Sequence, residues 1–306
     1  MFTGFTETDF DAYAPQKWSS HAYNRQRLEI KEKLLALAKD LQFNNPDNLL
    51  ACEASAEHPT LWNQKRVDSA QLIFFRDAQA KKELDQLMSR SQQMSELLND
   101  PTRKHVFLSL RINQELLTVA LRLHPEARID RQNLEKKMHD EWEKQTFLGL
   151  LQELPDSHQV WIEGGKPHNA HTVSDQSFAA IYGEFIGPQA SWLCIGTGLP
   201  RQVAVGTPPD VLTQHCHKEL LALLPLYRFV AWTKNNDFLR LKESLKQEKQ
   251  HRAQKGLAIK DHVRILRGLF AGRRGIVSEL DHKGAVRVQV GKLSVKVAIH
   301  DVDRVD

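Results

Sequence analysis

Residues 260–281 read KDHVRILRGLFAGRRGIVSELD, and this stretch has the clearest structural pattern in the 306-residue chain. Val263 and Ile265 alternate with polar residues, and the same alternation continues through the C-terminus. A period of two is typical of short strands that bury one face. The other residues of this pattern are Ile276, Val286, Val288, Val290, Val295, Val297 and Ile299. Four or five such strands predict a small all-β barrel.

Glycines mark the corners of this predicted barrel. Gly268, Gly272 and Gly275 lie where the chain has to turn twice within a short stretch. Glycine accepts the positive φ or the bulge geometry that a side chain resists. We therefore expect all three to be structural turn residues.

The glycine spacing, together with Val263, Ile276 and Val277, resembles the KOW motif. That motif is the SH3-like barrel segment of ribosomal proteins of the uL24 and eL27 kinds and of the C-terminal domains of the NusG and Spt5 transcription factors. The family usually has Gly where this chain has Lys260, so the first strand is expected to enter less sharply. The resemblance implies an SH3-like barrel at residues 257–306 that binds RNA, the ribosome or the transcription machinery.

The loop between the first two predicted strands is strongly basic. An aromatic ring beside arginines is able to stack on an unpaired base while the guanidinium groups pair with phosphate. The alternative is that the ring plugs the end of the barrel. The predicted nucleic-acid-binding residues here are Arg264, Arg267, Phe270, Arg273 and Arg274.

Charge extends this prediction to the segment before the barrel. Residues 234–306 contain 17 Lys and Arg against 9 Asp and Glu, so they carry +8 of a chain whose net charge is +4. A local basic region on an acidic body indicates an anionic partner, most often RNA or DNA. Residues 234–256 are predicted as a basic helical connector, and its binding residues are Lys246, Lys249 and Arg252. A basic helix that is merely solvated is the alternative.

Residues 1–233 predict an α+β body of helices packed on antiparallel hairpins. Its clearest hairpin alternates through residues 106–123 and turns at Asn113-Gln114. A second hairpin is expected to turn at residues 196–198, and residues 226–232 are expected to close the body as a strand. The opening residues also resemble the start of an uncharacterised bacterial family of the YktB kind, which implies no activity.

Three groups in the body resemble sites, and each has a simpler explanation. Gly196-Thr197-Gly198 lacks the third glycine of a nucleotide-binding loop. Residues 215–217 read His-Cys-His, but positions two apart on a helix point away from each other. Glu163 and Lys166 lack the spacing of a metal-dependent nuclease. We therefore predict no catalytic residue, no metal and no cofactor.

Composition places the chain among ordinary globular proteins. The 41% hydrophobic content and the absence of an apolar run of membrane-spanning length predict a cytoplasmic protein without membrane contact. Three widely spaced cysteines predict buried thiols rather than disulfides.

Three functions remain open from the sequence. The first is a non-enzymatic binding protein that contacts RNA, DNA, the ribosome or RNA polymerase through its barrel. The second is an enzyme that acts on nucleic acid with a site in the body. The third is a barrel that docks a protein partner.

Overall fold

The computed structural model divides the chain into two compact units, Met1–Leu239 and Arg240–Asp306. Of the basic connector predicted at residues 234–256, residues 240–256 are outside the described residues. The described residues are 1–41, 50–60, 63–76, 79–82, 84, 101–187, 191–239, 257–281, 285–291, 293–298 and 301–305.

The first unit is built on a seven-stranded sheet in which every neighbouring pair is antiparallel. The strand order is β1-β2-β3-β4-β7-β5-β6. The strands are β1 Leu50–Ala54, β2 Ala70–Arg76, β3 Phe107–Ile112, β4 Leu116–Leu123, β5 Gln159–Ile162, β6 His168–Asn169 and β7 Leu193–Pro200. Together with the helices, this sheet confirms the predicted α+β body.

Most helices of this unit lie before β1, between β4 and β7, or after β7 in the sequence. Polar caps begin several of them: the Asp140 side chain accepts a hydrogen bond from the Glu143 amide, which satisfies a free N–H of the first turn. The helices are α1 Glu7–Asp11, α2 Asn24–Asp40, α3 Pro101–Lys104, α4 Arg128–Met138, α5 Glu141–Gln152, α6 Asp175–Ile186, α7 Arg201–Gly206 and α8 Pro209–Val230, with short 3-10 turns at Pro15–Lys17, His21–Tyr23 and Ala170–Thr172.

The two faces of the sheet differ in chemistry. On β4, Leu117, Val119 and Leu121 belong to the main core, where α2 and α8 pack. The alternate residues Thr118 and Arg122 point to the opposite face, because successive side chains of a strand point to opposite sides. One face is therefore apolar and covered by helices. The other carries small and polar side chains along β4, and a separate buried apolar cluster of Ile73, Phe75 and Phe107.

Two predictions for the body are wrong. Residues 196–198 do not turn: they lie inside β7, and α7 follows that strand directly. Residues 226–230 continue α8 rather than forming a strand, although Pro225 lies inside the helix. Proline usually ends a helix, but Leu220, Leu223 and Tyr227 keep the helical spacing across it and are buried in the core.

The second unit contains a five-stranded antiparallel sheet in the order β11-β10-β9-β8-β12. Its strands are β8 His262–Ile265, β9 Arg274–Asp281, β10 Ala285–Val290, β11 Leu293–Ala298 and β12 Val302–Arg304. All five contribute to one core of Val263, Ile265, Val277, Val286, Val288, Val297 and Val302. The predicted small all-β domain is confirmed.

Ile276 is the exception to the predicted inner face of this domain. Its side chain is 41% exposed, whereas the next residue, Val277, is fully buried. The pairing of Gly275 with Val263 fixes the register of β9, so Val277 takes the inward position. Ile299 lies outside the described residues.

Candidate nucleic-acid interface

The loop between β8 and β9 is a compact turn closed by its own backbone. The Gly272 amide donates to the Ile265 carbonyl at 2.7 Å, and the Ala271 amide donates to the Gly268 carbonyl at 3.0 Å. Gly268 and Gly272 have φ values of +87° and +81°. Both are in the left-handed region that suits glycine, so the turn depends on these two residues.

Gly275 has a different role from the one expected. It lies within β9 rather than in the turn. A Cβ at this position would lie 2.5 Å from both the Gln289 carbonyl oxygen and the Val288 Cγ1 atom. Glycine is needed here because β9 and β10 approach each other closely.

Lys260 forms the entry to the first strand despite the change from glycine. Its φ is +79°, and its amide donates to the Val277 carbonyl at 2.8 Å. The Ala258 amide donates to the Asp261 carboxylate at 2.7 Å and steadies the same corner. Lysine therefore adopts a left-handed conformation, which favours glycine, at the position where the family usually has glycine.

Four arginines are exposed on and beside the loop. Arg264 in β8 lies opposite Arg274 in β9, so the two side chains share the outward face. Arg267 and Arg273 are exposed in the loop. Among the residues that the structure describes, none of the four forms an ion pair.

Two other arginines of this unit differ in this respect. Arg287 lies 3.4 Å from Glu279, and Arg304 lies 3.4 Å from Asp261. The positive charge that remains uncompensated by described carboxylates is therefore concentrated at the loop. Asp303 of β12 lies opposite Arg264 in the strand register, which places a carboxylate at this edge of the basic surface.

The loop presents Leu269 rather than Phe270 to solvent. Phe270 is half-buried and packs against the core of the second unit, which corresponds to the plug alternative. Leu269 is fully exposed. Sequence reasoning missed Leu269 because both residues are apolar and only the course of the backbone decides which one faces inward.

The remaining predicted binding residues Lys246, Lys249 and Arg252 lie outside the described residues. Their part in nucleic-acid binding stays a prediction, which rests on the local positive charge.

The His-Cys-His run lies on α8, and its three side chains do not converge. Cys216 is buried in the core, and burial raises the pKa of its thiol to about 12. His215 lies instead beside Glu219, with 3.5 Å between Nδ1 and Oε1. Within the described ranges, no group of three or more His, Cys, Asp or Glu side chains is arranged to hold a metal ion.

These features define a class of domain: a small antiparallel β-domain that displays arginines on one glycine-supported loop. Residues 259–290 match the KOW motif, from the corner at Lys260 to the end of β10. This motif indicates a nucleic-acid-associated or ribosome-associated binding role. A search of curated proteins found no significant match to the chain. No helix in the described part of the chain is long and apolar enough to cross a membrane.

Proposed function

We propose that this protein is a non-enzymatic binding protein that contacts RNA through the loop between β8 and β9. Arg264, Arg267, Arg273 and Arg274 would pair with phosphates, and the basic segment that contains Lys246, Lys249 and Arg252 would add to the same attraction. Binding of this kind has little sequence preference, because phosphate contacts do not read the bases. The ribosome and the transcription machinery are the assemblies in which such an RNA contact would operate.

The observation that carries this proposal is the set of four exposed arginines with no carboxylate partner among the described residues. A guanidinium group has five N–H donors and matches the geometry of a phosphate. A surface arginine that is already paired gives up part of that capacity to its carboxylate. Among the described residues, the loop arginines have no carboxylate partner, whereas Arg287 and Arg304 each have one.

The test is the salt dependence of binding to a single-stranded RNA oligonucleotide of mixed sequence. Changing Arg273 and Arg274 together to alanine is expected to weaken binding. Each lost phosphate contact lowers the slope of log K against log salt by about 0.7 on a single strand, so the double variant should lose about 1.4.

The matched control removes the same charge from the paired positions. The Arg287→Ala/Arg304→Ala variant is expected to keep most of the affinity, since those groups are engaged with Glu279 and Asp261. Equal losses in the two double variants would mean that only net charge matters. Removal of residues 234–306 should abolish RNA binding. If the truncated body still binds RNA, the contact lies in the first unit and not in the loop.

Leu269 favours a second function, the docking of a protein partner. A fully exposed leucine at the tip of a loop is an apolar contact that nucleic acid does not require. If the Arg273→Ala/Arg274→Ala variant keeps its full RNA affinity and slope, the loop is not an RNA contact. Protein docking then becomes the better proposal. An enzyme that acts from the body would instead need catalytic side chains gathered in a pocket of the first unit.

A further inference from the structure

The first unit has a pocket on the face of its sheet opposite to the helices. The cavity has a volume of about 480 Å³. Small side chains of three neighbouring strands form its floor, so the sheet is hollow where a solvated sheet face usually carries long polar residues. These floor residues are Ser109, Thr118, Ala120, Gly196 and Gly198.

The two glycines of the floor have different causes. A Cβ on Gly196 would lie 2.1 Å from the Val119 carbonyl oxygen, so the close approach of β4 and β7 requires glycine. A Cβ on Gly198 would meet only the Leu116 side chain, at 3.5 Å or more. Strand packing therefore does not explain Gly198. A glycine in a strand weakens the strand and often marks the close approach of a ligand.

One wall of the pocket holds a partly neutralised pair of arginines. Glu163 bridges them: its Oε1 lies 2.9 Å from Arg111 Nη1, and its Oε2 lies 2.7 Å from Arg122 Nη2. Outside the lining, Asp68 lies 3.4 Å from Arg111. Among the described residues, two carboxylates therefore engage Arg111 and one engages Arg122.

Arg122 is the group with unused binding capacity. Its side chain is 7% exposed and lies over the Trp192 ring at 4.5 Å. Its Nε has no hydrogen-bond partner among the described residues. Nη1 donates a long hydrogen bond to Gln71 Oε1, at 3.4 Å. A buried guanidinium group with unmet donors gains most from an anionic acceptor.

We propose that this pocket binds a small molecule that has a flat ring and a carboxylate or phosphate group. The anionic group would sit at Arg122, and the ring would lie on the glycine floor beside Trp161, which also lines the pocket. The volume suits a ligand of nucleotide size. Cys194 lines the same cavity, and burial raises the pKa of its thiol to about 11, so it acts as a neutral wall.

The experiment measures binding to the full chain by calorimetry, with 5′-AMP, 5′-UMP and indole-3-acetate as probes. Gly198→Val would fill the pocket without a backbone clash, and valine suits a strand. It is expected to weaken binding at least about tenfold, which corresponds to about 1.4 kcal/mol. Gly149→Ala is the matched control, because its new Cβ meets open space on α5, away from the pocket. It should bind as the unchanged protein does.

The three probes distinguish the sources of the anion. Binding of the nucleotides alone identifies a phosphate ligand, and binding of indole-3-acetate alone identifies a carboxylate ligand. Glu163→Gln should tighten binding of either kind, since it removes the carboxylate that competes for Arg122. Saturable binding by none of the probes at millimolar concentration would overturn the proposal. Unchanged affinity in Gly198→Val would overturn it as well.

The pocket proposal is independent of the RNA contact proposed for the second unit. The Arg273→Ala/Arg274→Ala variant should lose RNA affinity and keep the probe affinity. Gly198→Val should do the reverse. Failure of one proposal therefore leaves the other standing.

Discussion

Lys260 occupies a backbone conformation that is costly for a residue with a side chain. Its φ of +79° is in the left-handed region, where contact between Cβ and the following carbonyl costs about 1 to 2 kcal/mol. Lys260→Gly removes this strain and adds some entropy to the unfolded chain. We expect the second unit to gain about 0.5 to 1 kcal/mol.

The measurement is native-state hydrogen exchange at the Val277 amide, which is bonded to the Asp261 carbonyl inside the sheet. Slower exchange in Lys260→Gly is the expected result. Lys260→Ala is the control and should bring no comparable gain, because alanine keeps the Cβ. Faster exchange in the glycine variant would contradict the assignment of strain.

Asp130 joins four parts of the body through one buried carboxylate. It accepts hydrogen bonds from Arg76 in β2, from the Val106 amide before β3 and from the Trp232 amide after α8. Arg76 also donates to the Trp232 carbonyl at 2.9 Å. The Asp130 and Arg76 side chains are 0% and 3% exposed. The Asp130 carboxylate and the groups that donate to it therefore satisfy one another, and removal of the carboxylate leaves these donors unpaired.

Asp130→Ala is therefore expected to destabilise the body by about 3 to 5 kcal/mol, the usual cost of leaving a buried charge without its partner. Urea denaturation followed by tryptophan fluorescence measures this loss. The matched control is Glu29→Ala, which breaks an exposed ion pair with Arg25 on α2. That change should cost less than about 1 kcal/mol. Similar effects of the two variants would show that burial of the Arg76–Asp130 pair does not matter.

His105 makes the stability of the body depend on pH. Burial, together with the neighbouring Arg76, lowers the pKa of this imidazole from 6.5 to about 3. The unfolded chain therefore binds a proton between these two values and the folded chain does not. Stability is present above pH 6.5 and falls as the pH is lowered towards 3, with a slope of up to about 1.4 kcal/mol per unit.

Urea denaturation at a series of pH values, compared between the unchanged chain and His105→Gln, isolates this contribution. Glutamine does not titrate, so the difference in stability between the two proteins should shrink as the pH falls from 6.5 towards 3. A difference that stays constant across this range would contradict the proposed role of His105.

The predictions of strands and turns succeeded where residues close in sequence determine the structure. The β3–β4 hairpin was predicted from alternation and from Asn113, whose side chain accepts hydrogen bonds from the Glu115 and Leu116 amides at the turn. The path of β7 through Gly196 could not be predicted in the same way. Gly196 is required by the backbone of β4, a strand that is distant in sequence, and not by a local turn.

The strand predicted for residues 226–232 failed for a related reason. An apolar run that follows a proline fits a buried strand as well as a buried helix when only local spacing is considered. The helix α8 continues because its apolar face packs on β3, β4 and β7. Tertiary packing therefore overrode the local signal of Pro225.

The candidate sites differ in the same way. The loop arginines are close in sequence, so sequence alone could bring them together. The pocket takes Arg111 from β3, Arg122 from β4 and Glu163 from the turn after β5. Its composition depends on the strand order, which alternation does not reveal. Glu163 was considered only as a nuclease carboxylate, and its two arginine partners were not visible from the spacing.

The net charge and the hydrophobic cores of the chain change at about the same point in the sequence, after the body ends. Residues 234–306 carry a net charge of +8, which leaves −4 on the remainder. The core of Val263, Val277, Val288 and Val302 has Leu257 and Phe270 among the partly buried residues that pack against it. The body has its own main core, whose described buried residues run from Phe2 to Ala231.

This division predicts that residues 257–306 fold without the body. Their strands, corners and core are complete in themselves, but a domain of this size buries little surface, so its stability should be only a few kcal/mol. Circular dichroism and thermal unfolding of the isolated segment test this.

Gly272→Val should destabilise the segment by about 1 to 2 kcal/mol through backbone strain alone, because φ is +81° and no atom lies within 4 Å of the new Cβ. The control is Ser294→Ala, because Ser294 is exposed on β11. A random-coil spectrum would show that the body is needed for folding, and an unchanged melting temperature in Gly272→Val would show that the turn does not depend on glycine.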